Sequence, residues 1–180
     1  VGTARLYEAE NLVRKLEMIK SYDVAPFIGG QFTEYVYKTQ GMSGIPDFFA
    51  EAKSLGFEAI EVSDNCVPLD DDTRRALIVA GVDAGLDVHG EVGSKVEQQN
   101  AADLIRQARI CLDAGCHVVL VEGAELAPRG EPDRELIRTI KSELGLEKVL
   151  FELTGPWIKG VNPGDVYQLK TFLVQEFGTN

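Results

Sequence analysis

Histidine and cysteine are scarce: 2 and 3 among 180 residues. Cys66, Cys111 and Cys116 are odd in number and show no CxxC spacing, which excludes a disulfide frame and a cysteine zinc site. They read as reduced thiols of a cytoplasmic protein. His89 lies within an apolar run and His117 at the start of another, and nothing arranges them as a metal pair. No apolar run approaches the ~20 residues that span a bilayer. The opening segment, VGTARLYEAENLVRK, carries acids close to Lys15 and no apolar core, so it does not read as a signal peptide. Bases are outnumbered, 18 against 29 acids, for a net charge of −11. Nucleic acid and membrane surfaces are therefore not expected as partners. A small anionic substrate stays open, because a few bases or a metal reverse the sign locally. A Walker loop, a GxGxxG fingerprint and a Ser/His/Asp order are all missing, and no Gly/Ser-rich or Pro-rich linker divides the chain.

What remains is an ordinary globular balance, 44% hydrophobic and 26% charged, with a length that suits one domain over residues 1–180. Short apolar runs alternate with helical patterns. Strands are expected at Val24–Ile28, Phe57–Val62, Leu86–Val92, His117–Val121 and Lys148–Leu153. Helices are expected at Leu6–Ser21, Ile45–Leu55, Asp70–Ala84, Ala101–Ala114, Asp133–Leu144 and Tyr167–Phe177. Pro46 falls in a first turn, and Gly56, Gly85, Gly115 and Gly145 fall at helix ends, as capping chemistry requires. Strands separated by helices of 10–15 residues imply right-handed βαβ crossovers and a parallel sheet, hence an α/β fold. The stretch 154–164, TGPWIKGVNPG, reads as a long loop near a site.

The informative pattern is a repeat. Glu61, Glu91, Glu122 and Glu152 each stand where an apolar strand runs out, 30, 31 and 30 residues apart. One βα unit separates each from the next. In parallel α/β folds the C-terminal strand ends form the functional face, so the four carboxylates are expected to converge on one mouth. Crowded like charges need neutralising. A hard divalent cation such as Mg²⁺ does this with one or two carboxylates and the substrate; structural ion pairs with Lys or Arg are the other answer. The loops that follow add Ser63-Asp64-Asn65, Gly93-Ser94-Lys95 and Gly123 with Glu125. Lys95 is a candidate proton donor or enolate stabiliser, or else an exposed loop lysine. Gly29-Gly30, after the first strand, offers backbone N–H groups to a phosphate.

These residues also carry a resemblance. The chain resembles the phosphosulfolactate synthase family, which adds sulfite to phosphoenolpyruvate in coenzyme M biosynthesis. Val1-Gly2-Thr3 is similar to the end of the family's GT segment, and Gly29-Gly30-Gln31-Phe32-Thr33-Glu34 to its GGTLFE. The run from Gly56 to Asp64 is similar to GFEAIEISDG, and Glu91-Val92-Gly93-Ser94-Lys95 to EVGKK. Asp113-Ala114-Gly115 with Val119–Glu125 parallels DAGA…EGRES, and Val149–Glu152 parallels IFEAP. The resemblance implies a (β/α)8 TIM barrel. Because such barrels take about 200 to 250 residues, the chain is expected to be an incomplete copy, lacking the first and last strand regions. It further implies a carbon–sulfur lyase that uses Mg²⁺, with Glu61, Glu91, Glu122 and Glu152 organising the metal and Lys95 as general acid. Gly29, Gly30, Ser63 and Asp64 would bind substrate. A homo-oligomer is expected.

Four departures bear on the substrate. Ala124 stands where the family has the arginine of EGRES, and Leu126 where it has serine; Asn65 replaces a glycine and Ser94 the first lysine of EVGKK. An arginine forks onto a phosphate in a way that alanine cannot replace. Arg129, or Lys159 in the inserted GPWIKGVNPG loop, would be the compensating cation. Two other readings follow: a diverged barrel enzyme with Mg²⁺ and enolate chemistry on another small acid, or a non-catalytic member akin to the family's plant heat-stress proteins.

Overall fold

A computed structural model describes residues 4, 6–95, 98–155, 158, 160–178. Eight α-helices and five strands occur among them. In chain order they are α1 (Ala9–Lys20), β1 (Phe27–Ile28), α2 (Gly30–Gln40), α3 (Ile45–Leu55), β2 (Ala59–Val62), α4 (Asp71–Asp83), β3 (Asp87–Val92), α5 (Ala101–Ala114), β4 (Val118–Val121), α6 (Gly123–Leu126), α7 (Arg134–Leu144), β5 (Val149–Phe151) and α8 (Pro163–Phe177). The strands follow the sheet order β1-β2-β3-β4-β5, and the β1–β2, β2–β3 and β4–β5 pairs are parallel. This is the expected α/β pattern. No helix of the described residues is long and apolar enough to cross a membrane.

The chain divides into two compact units. One holds Val1–Glu91 and Ile110–Val118, the other Val92–Arg109 and Val119–Asn180. In the first, all four residues of β2 are buried, as in a parallel strand covered on both faces. Ile45, Phe49, Ile60, Leu77 and Ile78 form its core, each 1% exposed or less. Gly81 lets α4 lie close on the sheet: a Cβ there would stand 2.8 Å from Val88 Cγ2 and 3.0 Å from Ile60 Cδ1. Asp70 caps α4 by accepting the Thr73 N–H at 2.7 Å, with Asp71 and Asp72 at the positive end of the helix. Gly56 ends α3 in the left-handed region, φ 102°, which is the reason for glycine there.

In the second unit Leu126, Ile137, Ile140 and Leu169 are buried together with Val119 and Val121. A two-pronged pair, Arg138 Nε and Nη2 to Glu176 at 2.8 Å each, links α7 to α8. Helix α8 starts four residues before the expected Tyr167. Asn162 caps it, accepting from Gly164 N and Asp165 N, while Asp165 reaches back to the Asn162 N–H at 2.9 Å. This capping box with Pro163 at N1 draws the end of the anticipated loop into the helix.

Two helices stand where the sequence pattern shows none. In α2, GQFTEYVYKTQ is rich in β-branched and aromatic residues, which are weak helix formers. It is helical because tertiary partners hold it: Glu61 Oε1 accepts the Gly30 N–H at 2.7 Å and the Thr33 hydroxyl donates to the Glu61 carbonyl at 3.0 Å. The single turn α6 is capped by Glu122, which accepts the Ala124 N–H at 3.1 Å.

Candidate functional site

Strand register decides which glutamates share a level. Between β2 and β3, Glu61 pairs with His89 and Val62 with Gly90, an offset of 28 residues. Glu91 therefore stands two residues beyond the level of Glu61, about 6.6 Å along the strand at ~3.3 Å per residue. The two side chains share a face because the separation is even. Between β4 and β5 the offset is 30, with Val121 opposite Phe151. Glu122 and Glu152 are consequently level, and the Glu152 N–H donates to the Val121 carbonyl at 3.0 Å. One oxygen from each lies within 4.8 Å of the other.

In the first unit, Glu61 is buried and serves the N-terminus of α2 through Gly30. An added Cβ at Gly30 would sit 2.0 Å from Ser63 Oγ and 2.7 Å from Glu61 Oε1, so only glycine allows this approach. The Gly30 N–H is thus turned to a carboxylate of the protein itself, and Gly29 is its N-cap residue. Ser63 and Asp64 likewise face protein groups. The Ser63 hydroxyl donates to Glu34 at 2.6 Å, and Asp64 accepts from Arg74 Nη2 at 2.6 Å. Glu91 is 4% exposed, and the Asn65 side-chain amide donates to its Oε1 at 2.8 Å.

Charged residues outside the strand-end repeat fix the loops at the strand ends of each unit. Glu34, on α2 and buried, accepts from Ser63 Oγ and from the N–H groups of Asn65, Cys66 and Val67. Four donors on one carboxylate fix the β2–α4 loop. Arg74, 1% exposed, bonds Asp64 and the Glu91 carbonyl, the latter at 3.1 Å. Burial raises the Asp64 pKa, and the Arg74 guanidinium opposes that rise. Arg74 was legible in principle: it shares the helical spacing of Leu77, Ile78 and Gly81, a charge on an apolar stripe. In the second unit, Glu125 is fully buried and accepts from Ser94 N at 2.8 Å and Gln99 N at 2.9 Å. Burial raises its pKa, against the two N–H donors.

That clamp fixes the loop that carries Lys95. Lys95 Nζ lies 3.1 Å from Glu122 Oε2; the lysine is 39% exposed and the glutamate 2%. The contact is an ion pair without hydrogen-bond alignment, since the buried Oε2 has no aligned donor among the described residues. Gly123 follows, so close to the exit of β5 that a Cβ would stand 2.5 Å from Thr154 N. Lys159 and the Arg129 side chain lie outside the described residues.

The acidic pair fits a hard cation chemically. Both residues are oxygen donors, Glu122 has a buried oxygen lacking an aligned donor among the described residues, and Mg²⁺ takes one or two carboxylates with the remaining positions left to water and substrate. The two histidines stand apart from this chemistry. His89 packs on Phe27 at 5.2 Å between centroids, with its pKa lowered by burial, and His117 is exposed, 3.8 Å from Asp87.

Comparison with known proteins places these features. The phosphosulfolactate synthase of Methanothermobacter thermautotrophicus is 29% identical over 162 residues, 84% of this chain and 62% of that protein. The chain spans less than two thirds of the length of the curated phosphosulfolactate synthases that it matches. Among solved structures, 2,3-dimethylmalate lyase, of the PEP mutase/isocitrate lyase superfamily, aligns with TM-score 0.56 and 16% identity over 92% of this chain and 57% of its own. Phosphonopyruvate hydrolase in complex with oxalate and Mg²⁺ aligns with TM-score 0.56 and 14% identity over 93% and 59%. These likenesses show the α/β fold with its parallel strands. The profile of the (2R)-phospho-3-sulfolactate synthase (ComA) family matches residues 1–180, and the chain belongs to that family.

Proposed function

We propose that the chain contributes the metal and proton-transfer site of a Mg²⁺-dependent lyase that adds sulfite to phosphoenolpyruvate. The observation that carries the reading is the Lys95 ammonium 3.1 Å from Glu122, beside the level pair Glu122 and Glu152. Glu91, in phase with these two in the 30-residue sequence repeat, is the third carboxylate assigned to the cation. Mg²⁺, when bound there, supplies Lewis-acid stabilisation of negative charge on the substrate carboxylate.

The sulfur lone pair of sulfite attacks C3 of the enol phosphate, and the C2–C3 π pair moves onto C2 and its carboxylate. Lys95 then delivers one proton to C2, giving 2-phospho-3-sulfolactate without loss of phosphate. Glu122 orients the ammonium before transfer. Glu125 holds the backbone on either side of Lys95 through Ser94 and Gln99. Glu61, Gly29, Gly30, Ser63 and Asp64 act in this scheme by shaping the neighbouring strand end, through the contacts already described.

Lys95→Ala is expected to lower sulfite addition by about 10² to 10⁴, with the circular dichroism spectrum unchanged. Activity within threefold of the parent would remove Lys95 from the mechanism. Ala124 favours a second reading, Mg²⁺ and enolate chemistry on a different small acid, because it leaves no guanidinium at that position. If the clamp matters, Ala124→Arg improves phosphoenolpyruvate binding by roughly 10- to 100-fold, an interaction of about 1.5 to 3 kcal/mol. Robust parent activity that the arginine fails to improve would exclude the second reading.

A further inference from the structure

We propose that Asn65 is a positioning residue that holds the Glu91 carboxylate in its ligating orientation; the inference rests on the reading of Glu91 as a metal ligand. Its geometry lies within the first unit. The Asn65 amide nitrogen is 2.8 Å from Glu91 Oε1. A carboxylate only accepts, so the NH₂ group of the amide must face it. The other end, Oδ1, is buried and has no hydrogen-bond partner among the described residues. The amide's orientation is therefore set by Glu91 and not by competition from solvent.

Both partners of this bond are pinned from outside. On the donor side, Glu34 takes the Asn65 N–H at 3.2 Å, together with those of Cys66 at 2.6 Å and Val67 at 2.7 Å. On the acceptor side, Arg74 binds the Glu91 carbonyl at 3.1 Å and with its other arm Asp64, the residue before Asn65. The loop and the strand end are thus fixed to one guanidinium, and the amide bridges them. A glutamate has three side-chain torsions to lose on binding a cation. A donor already bonded to one oxygen removes much of that cost, and removal of such outer partners typically weakens a metal site 10- to 100-fold. The family pattern quoted above has glycine at this position, which has no side chain to make the bond, so the device belongs to this chain.

The test is a Mn²⁺ titration followed by the loss of the free-ion electron paramagnetic resonance signal, on the whole chain. Asn65→Ala and the near-isosteric Asn65→Leu are compared with the parent, with Glu91→Gln and with the Asn65→Ala/Glu91→Gln double variant. Both Asn65 variants are expected to bind Mn²⁺ about 10- to 100-fold more weakly, and the double variant no more weakly than Glu91→Gln alone. A purely structural role would instead add its effect on top of Glu91→Gln. If Asn65→Ala fails to fold, the volume-conserving Leu variant decides. Mn²⁺ affinity within twofold of the parent in the folded Asn65 variants, with Glu91→Gln impaired, overturns the positioning role and leaves the metal reading standing. Unimpaired Glu91→Gln overturns both.

Discussion

At the scale of single residues, the decisive feature is how buried charge is answered. Arg74 is 1% exposed and Asp64 16%, so their bond is made in a largely dry setting where a stranded partner is expensive. Removing one member of a buried pair costs about 3 to 5 kcal/mol. Arg74→Met is therefore expected to lower unfolding stability by that amount at neutral pH, read by urea denaturation. The pH dependence has a definite sign. Asp64 already has a pKa raised above 3.8 by burial, with Arg74 holding it down, and without the guanidinium it rises further. A carboxyl whose folded pKa is raised contributes stability below its unfolded value and loses it as pH rises through the folded one. The deficit of the variant should thus be small near pH 4 and grow toward pH 7.5. A constant deficit across that range would show that Arg74 acts by packing alone.

At the scale of elements, short pieces of structure are held by carboxylates from elsewhere in the chain. Glu34 on α2 gathers the loop after β2, and Glu125 on α6 gathers the loop after β3. Charge-assisted bonds of this kind contribute about 1.5 to 3 kcal/mol each, a factor of roughly 10 to 100 in local opening. Glu125→Ala should then accelerate amide exchange at Ser94 and Gln99 by at least about tenfold, while the N–H groups of α7 exchange as in the parent. Turnover should fall with it, because Lys95 rides on that loop. Slow exchange at both amides would assign their protection to some other group. The apolar stripe of α4, by contrast, is fixed by packing: Leu77 and Ile78 are buried, Gly81 lies against Ile60 and Val88, and Arg74 enters the same stripe because its charge is answered by Asp64 and the Glu91 carbonyl.

At the scale of the whole molecule, a chain of net charge −11 has carboxylates at its strand ends, and the proposed cation would relieve their repulsion. Ligands that bind only the folded state stabilise it by mass action, about 1.4 kcal/mol at ten times Kd. For a chain of this size that corresponds to a rise in Tm of roughly 3 to 6 °C. Mg²⁺ is expected to produce it in a thermal melt, and EDTA to reverse it. The same melt on Glu152→Gln should show the shift reduced. An identical shift in the variant would place the cation away from the β4–β5 strand ends.

The sequence by itself determined the class of fold and the residue types of the site. Helix caps such as Asp70, Pro46 and Gly56 act within a few residues of themselves, and so does the alternation of apolar strands with amphipathic helices. Those signals are local, and the strands and most helices stand where they point. The phase of Glu61, Glu91, Glu122 and Glu152 was visible for the same reason. Their levels were not. Register between strands depends on how each crossover packs, and an offset of 28 at β2–β3 against 30 at β4–β5 sets Glu61 back to cap α2 while Glu122 and Glu152 come level. Helix α2 itself, the four-donor grip of Glu34, the buried fork of Arg74 and the Asn65–Glu91 bond join groups 10 to 33 residues apart. Local propensity carries no trace of such partners, and burial, which makes their hydrogen bonds obligatory, exists only once the chain has folded.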